Sequence, residues 1–206
     1  MNRHACHPQL IRVFSTALCW LLLAAQAVAA QTDYAQHIAD LIDPSKLATL
    51  GERGANPRVQ KAAYWLATAR KEAAKPAKVL DRAVALAGYK KAAAKLTKNA
   101  LLRNLDIAEK LGCLDDAGLA AMRRGKAATV RKGPYKGDEL SVDHIVPRAV
   151  VPELDNVIAN LELMPLRMNE SKNDKIGDRQ RDTAKKFYRA GLLSKRGLQA
   201  VNQADH

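Results

Sequence analysis

One short stretch of this chain gathers aspartate, histidine and asparagine, residue types that can bind a metal and move a proton. Beyond the first thirty residues there are three histidines, His37, His144 and His206, and only His144 lies in a polar setting. It follows Asp143 and precedes Ile145, Val146 and Pro147. Leu140 to Val146 has the character of a short strand, so an adjacent carboxylate and imidazole at its end point in different directions. One of them is free to bind a metal while the other handles a proton. Asn160 comes sixteen residues after His144 and leads Leu161-Glu162-Leu163-Met164-Pro165. Nine residues further, Asn169 opens Asn169-Glu170-Ser171-Lys172-Asn173-Asp174-Lys175. Leu161 to Met164 reads as a returning strand and Leu166 to Lys175 as a helix. The order is therefore strand, loop, strand, helix, carrying Asp-His, Asn and Asn. On residue types alone, a structural histidine held by Asp143 with asparagines as turn formers would also account for the stretch.

The segment Val142-Asp143-His144-Ile145-Val146-Pro147, then Asn160-Leu161-Glu162-Leu163-Met164, then Asn169-Glu170-Ser171-Lys172 resembles the HNH endonucleases, an enzyme family built on a ββα-metal finger. Asn169 stands where the third letter of the motif is histidine in other members, which makes this an HNN variant. Cysteine pairs of the kind that hold a structural zinc in some members are absent from the sequence. The resemblance implies that Asp143 and Asn169 are oxygen ligands to one divalent cation. Hard oxygen donors suit Mg²⁺ best and also Mn²⁺ or Ca²⁺, and suit Zn²⁺ less. It implies that His144 is the general base toward the attacking water, imidazole having its unperturbed pKa nearest neutral pH. Asn160 would fix the intervening loop and the ring, and Lys172, one turn beyond Asn169 on the same helix face, would hold a phosphate. Cleavage in that family leaves a 5′ phosphate and a 3′ hydroxyl.

Positioning these residues falls to a chain that reads as α+β but mainly α. From about residue 31 to 124 apolar residues recur at helical spacing with Gly or Pro at the joins. Asn56-Pro57 starts one helix, with Val59, Ala62, Leu66 and Ala69 along one face. Pro76 starts the next, which Gly88 can end. Thr97 can cap a third that carries Leu101, Leu105, Ala108 and Leu111 before Gly112. Asp115 can cap a short fourth that stops near Gly125. Tyr64 and Trp65 invite a base-stacking role, but neighbours on a helix diverge by about 100° and core packing is the better reading. Residues 125–206 then hold the ββα-metal core and two closing helices, Asp178 to Ala190 and Ser194 to Asn202.

The first thirty residues stand apart. Arg3 and Arg12 precede a run from Val13 to Ala30 that is almost wholly apolar and ends in small residues, the pattern of a secretory signal peptide of residues 1–30. Cleavage after Ala29 or Ala30 would give a periplasmic or secreted protein without stable membrane association, of bacterial type. An uncleaved anchor is the alternative. Cys6 and Cys19 would leave with this segment, and the remaining Cys113 reads as a buried small residue.

With 34 Lys plus Arg against 21 Asp plus Glu, the 206-residue chain carries a formal charge of +13. Removing residues 1–30 takes away two arginines and no acid, so the bias belongs to the remainder. A polyanionic partner follows; charge does not separate DNA from RNA, and DNA is the expected nucleic acid. Arg123, Arg124, Lys126, Arg131, Lys132 and Lys136 form a stretch without an acidic residue that leads into the motif, and are expected to grip phosphates. Lys90, Lys91, Lys95, Lys98 and Arg103 form a second basic series, which a solvated helix face would equally explain. Few aromatics favour backbone contacts over base reading, hence low sequence specificity. The expectation is an exported, metal-dependent HNH endonuclease, with an inhibitor protein as a conceivable further partner. The alternative is an exported basic nucleic-acid-binding or uptake protein whose finger does not cut.

Overall fold

Apolar periodicity and proline placement set the helical half. The computed structural model describes residues 34–172 and 175–204. Residues 1–30, with the proposed signal peptide, lie outside them, as does His206. Helix α1 is described over 34–42, and α2 (Pro44–Leu47) follows with Asp43 as its cap, accepting from Ser45 N and Lys46 N. Next come α3 (Asn56–Lys71) and α4 (Pro76–Leu86), each with a proline in its first turn, where the missing N–H would have no partner. Val59, Ala62, Leu66 and Ala69 are buried along α3 as the spacing predicts. Helix α6 (Asp116–Arg123) is capped by Asp115, which accepts from Gly118 N.

One helix starts earlier than its sequence suggested. Helix α5 spans Lys91–Lys110, and Thr97 lies buried in its second turn instead of capping it. Ala92, Ala93, Ala94 and Lys95 are strong helix formers, and their summed propensity overrides the local cap signal. Within the basic series, Lys98 is paired with Asp81, and Arg103 Nε lies 2.9 Å from Glu162 Oε1. Trp65 stacks on His37 with ring centroids 4.3 Å apart, and both Tyr64 and Trp65 pack against the core.

Among the described residues, strand is confined to an antiparallel pair, β1 (Leu140–His144) and β2 (Leu161–Pro165), so the fold is α+β and mainly α. Asp143 faces Glu162 and His144 faces Leu161 across the pair. Helix α7 (Leu166–Ser171) follows directly and is shorter than the sequence suggested. Lys172 has left helical geometry at its end, so it is beyond the helix and not on the face of Asn169. Helices α8 (Asp178–Arg189) and α9 (Lys195–Gln203) close the chain. Among the described residues no helix is long and apolar enough to cross a membrane.

Two polar side chains from the helical half hold the strand pair in place. Gln60 of α3 donates to Leu140 O at 2.7 Å. Asn104 of α5, 1% exposed, donates to Leu161 O at 3.0 Å and accepts from Leu163 N at 2.9 Å, so its amide acts as a further strand against the edge of β2. One hydrophobic core runs from Ala35 through α3, α4 and α5 to Leu140, Leu161 and Leu163, and so spans both segments of the chain. Cys113 lies inside it with no exposure, and burial, aided by Asp115, pushes its thiol up to about 11, which leaves it inert at neutral pH. A second cluster packs Val146, Val151 and Leu154, from the connection between the strands, against Ala184 and Phe187 of α8 and Val201 of α9.

Replacing Asn104 by Ala strips the Leu163 amide of its partner in a site water cannot enter. Loss of about 2–3 kcal/mol in urea-monitored unfolding is expected, with little change in the m-value.

Candidate active site

The connection between β1 and β2, residues 145–160, leaves the sheet and returns to it at one point, and a single buried side chain closes that neck. Asn160 has no exposed surface. Its Oδ1 accepts from Val146 N at 2.8 Å, while Nδ2 donates to Val146 O at 2.9 Å and Leu154 O at 3.4 Å. The Asn160 carbonyl also accepts from Ile145 N at 2.8 Å. An amide donates and accepts here at once, from two separate atoms that reach both main-chain groups of one residue. Asn160 does so two residues beyond His144, and acts on the ring through the loop rather than by touching it.

The loop in turn brings Asp155 to His144. The imidazole is 8% exposed, and its Nε2 lies 3.0 Å from the Asp155 carbonyl oxygen and 2.9 Å from Asp155 Oδ1. Only the carbonyl lies in line for a hydrogen bond. A carbonyl can only accept, so Nε2 carries the proton and the neutral ring keeps its lone pair on Nδ1. The carboxylate beside Nε2 offsets the charge the ring gains if Nδ1 takes a second proton. Asp155 is a residue the sequence did not single out, because an aspartate in a loop reads as an ordinary turn former.

Asp143 lines a cavity of about 600 Å³ together with His144, Asn169 and Lys172. Asn169 Nδ2 donates to Ser141 Oγ at 3.2 Å, and Ser141 Oγ itself donates to Met164 O at 3.0 Å. The serine proton being used, Oγ must accept from the amide, and this leaves Asn169 Oδ1 as the oxygen available to a cation. The Lys172 ammonium is paired with the Asp143 carboxylate and donates to His144 O at 3.1 Å. A positive group already rests on the carboxylate expected to bind a metal ion.

Among the described residues there is no group of three or more His, Cys, Asp or Glu that could hold a metal. One carboxylate and one amide oxygen fit a hard ion that keeps most of its water shell, as Mg²⁺ does.

The other cavity walls were not foreseen. Arg148, from the loop, and Glu52 and Arg53, from the turn before α3, line it. Arg123, Arg124, Lys126, Arg131, Lys132 and Lys136 do not, because their segment joins β1 at Leu140, the end opposite His144. Arg131 is also paired with Asp115 at 3.0 Å.

Asn160→Ala would orphan both the Val146 N–H and its carbonyl in a dry neck. Equilibrium unfolding in urea should show a loss of about 2–4 kcal/mol. Asn160→Asp should not rescue it, since a carboxylate oxygen would then face the Val146 carbonyl.

Set beside models of known protein families, curated proteins and solved structures, the chain matches none of them.

Proposed function

We propose that this protein is an exported, metal-dependent endonuclease of the HNH type that hydrolyses nucleic-acid phosphodiester bonds, DNA foremost, with little sequence preference. The observation that carries the reading is the state of His144: its Nε2 is committed to the Asp155 carbonyl, so the neutral ring keeps its lone pair on Nδ1, and the residue lines a cavity shared with Asp143 and Asn169.

Hydrolysis of a phosphodiester requires a nucleophile, a counter to charge growing on the phosphoryl oxygens, and help for an alkoxide leaving group. His144 Nδ1 takes a proton from water as that water's oxygen bonds to phosphorus and the bond from phosphorus to the 3′ oxygen breaks. Asp155, beside Nε2, stabilises the imidazolium so formed. A divalent cation held by Asp143 and Asn169 would supply charge neutralisation at the phosphate and the leaving oxygen. Lys172, within reach of the same carboxylate, neutralises Asp143 in the cation's absence and lends its charge to the phosphate otherwise. Arg131, Lys132 and the rest of the 123–136 segment would hold the flanking backbone at a distance from the cut.

A non-cutting nucleic-acid-binding protein is the second reading. The ion pair between Lys172 and Asp143 favours it, for a carboxylate already neutralised needs no metal.

Nicking of supercoiled plasmid separates the two. The nuclease reading requires cutting that Mg²⁺ or Mn²⁺ supports and EDTA abolishes. His144→Ala should slow it by about 10²–10⁴ while leaving affinity for the plasmid nearly intact. In Asp143→Ala the remaining rate should need more metal for half-saturation, and Asn169→Ala should show the same shift more weakly, having lost a neutral ligand. Binding without any metal-dependent cutting would establish the second reading, and wild-type rates in His144→Ala would remove the assigned base.

A further inference from the structure

The turn before α3, residues 50–55, belongs to the helical half yet is pinned to the loop that carries Asp155. Arg53 N donates to Asp155 Oδ2 at 2.8 Å. Asn156 Oδ1 accepts from Ala55 N at 2.9 Å, and its Nδ2 donates to Leu50 O at 3.3 Å and Gly51 O at 3.1 Å. Four hydrogen bonds thus fix the turn against the residue that orients His144. These bonds fix the backbone of the turn, and with it the point from which the Arg53 side chain leaves.

Arg53 is the apex of that turn, with φ of +53°. This left-handed region disfavours side chains with a Cβ and is the province of glycine and asparagine. Glycines stand at 51 and 54, on both sides, but the strained position itself holds arginine. Ala73 shares this conformation just past the end of α3, with φ of +62°, where a left-handed residue is common; away from helix ends such strain clusters at functional sites. The side chain is exposed, lines the cavity with Asp143, His144 and Asn169, and has no ion-pair or hydrogen-bond partner for its guanidinium among the described residues. Its neighbour Glu52 is drawn instead to Arg148, 3.1 Å away.

We infer that Arg53 is a substrate-contacting residue, its guanidinium binding the non-bridging oxygens of a phosphodiester seated in the cavity, so that the helical half contributes directly to the site. A planar guanidinium matches two phosphate oxygens at once, which an ammonium cannot do. The inference rests on the nucleic-acid reading of the cavity.

The test uses a short DNA duplex in metal-free buffer, with fluorescence anisotropy for affinity and thermal unfolding for stability. Arg53→Gly should weaken binding about tenfold, as loss of a charge-assisted phosphate contact does. It should also reduce the slope of log affinity against log salt by about 0.9. Because glycine relieves the strained backbone, Tm should be unchanged or higher. Arg53→Lys should restore the salt slope while recovering only part of the affinity. Unchanged affinity and slope in Arg53→Gly would overturn the inference, and so would a lowered Tm, which would assign the residue to the fold. The nuclease reading fails on different data. Plasmid cutting that ignores His144→Ala sinks it even if Arg53 binds the duplex, and His144-dependent cutting with wild-type affinity in Arg53→Gly sinks this inference alone.

Discussion

A long connection between two adjacent strands has to satisfy its own backbone where it leaves and rejoins the sheet, because the neck is buried and water cannot reach it. Here the whole demand falls on Asn160. Its amide pairs with both main-chain groups of Val146 and with Leu154 O, and its carbonyl takes Ile145 N. With the neck closed, the loop has little choice in where it sends Asp155, and Asp155 in turn decides which nitrogen of His144 holds the proton. The chemistry of the ring is thus set two steps away from the ring, by a residue that does not touch it.

Support for that arrangement is drawn from both ends of the chain. The apolar side of the loop, through Val146, Val151 and Leu154, is core for α8 and α9, and Glu153 accepts from Ser194 Oγ at 2.6 Å at the start of α9. On the other side, Asn104 and Gln60 hold the strands to α5 and α3. Glu162, opposite Asp143, is buried between Arg103 and Arg179, the latter 2.8 Å away, and ties α5, β2 and α8 together. A two-stranded sheet alone is marginal in water, and these attachments on every side are what let so small a sheet present a fixed site.

Much of this was legible in the residues, for reasons that are local. Proline at a first helical turn, glycine at a helix end, and the order strand, loop, strand, helix all act through neighbours in the chain, and the helices at Asn56 and Pro76 and the strand pair lie where those signals put them. The closing role of Asn160 could be expected from what an amide can donate and accept. What the sequence hid is whatever depends on partners far along the chain. Thr97 looked like a cap because its burial against other helices is invisible locally. Asp155 and Arg53 are 102 positions apart, and no spacing announces that they meet. The basic stretch at 123–136 was conspicuous by charge, whereas the cations at the cavity, Arg53, Arg148 and Lys172, are scattered singly and show as a group only when folded.

The tautomer of His144 decides which ring nitrogen can take a proton, and nitrogen-15 NMR of the imidazole reads it directly. In the neutral ring the proton should be found on Nε2, with Nδ1 giving the signal of an unprotonated nitrogen, and Asn160→Ala should blur that distinction by freeing the loop. A proton on Nδ1 in the folded wild-type protein would contradict it, since the nitrogen assigned as base would then have no lone pair to offer.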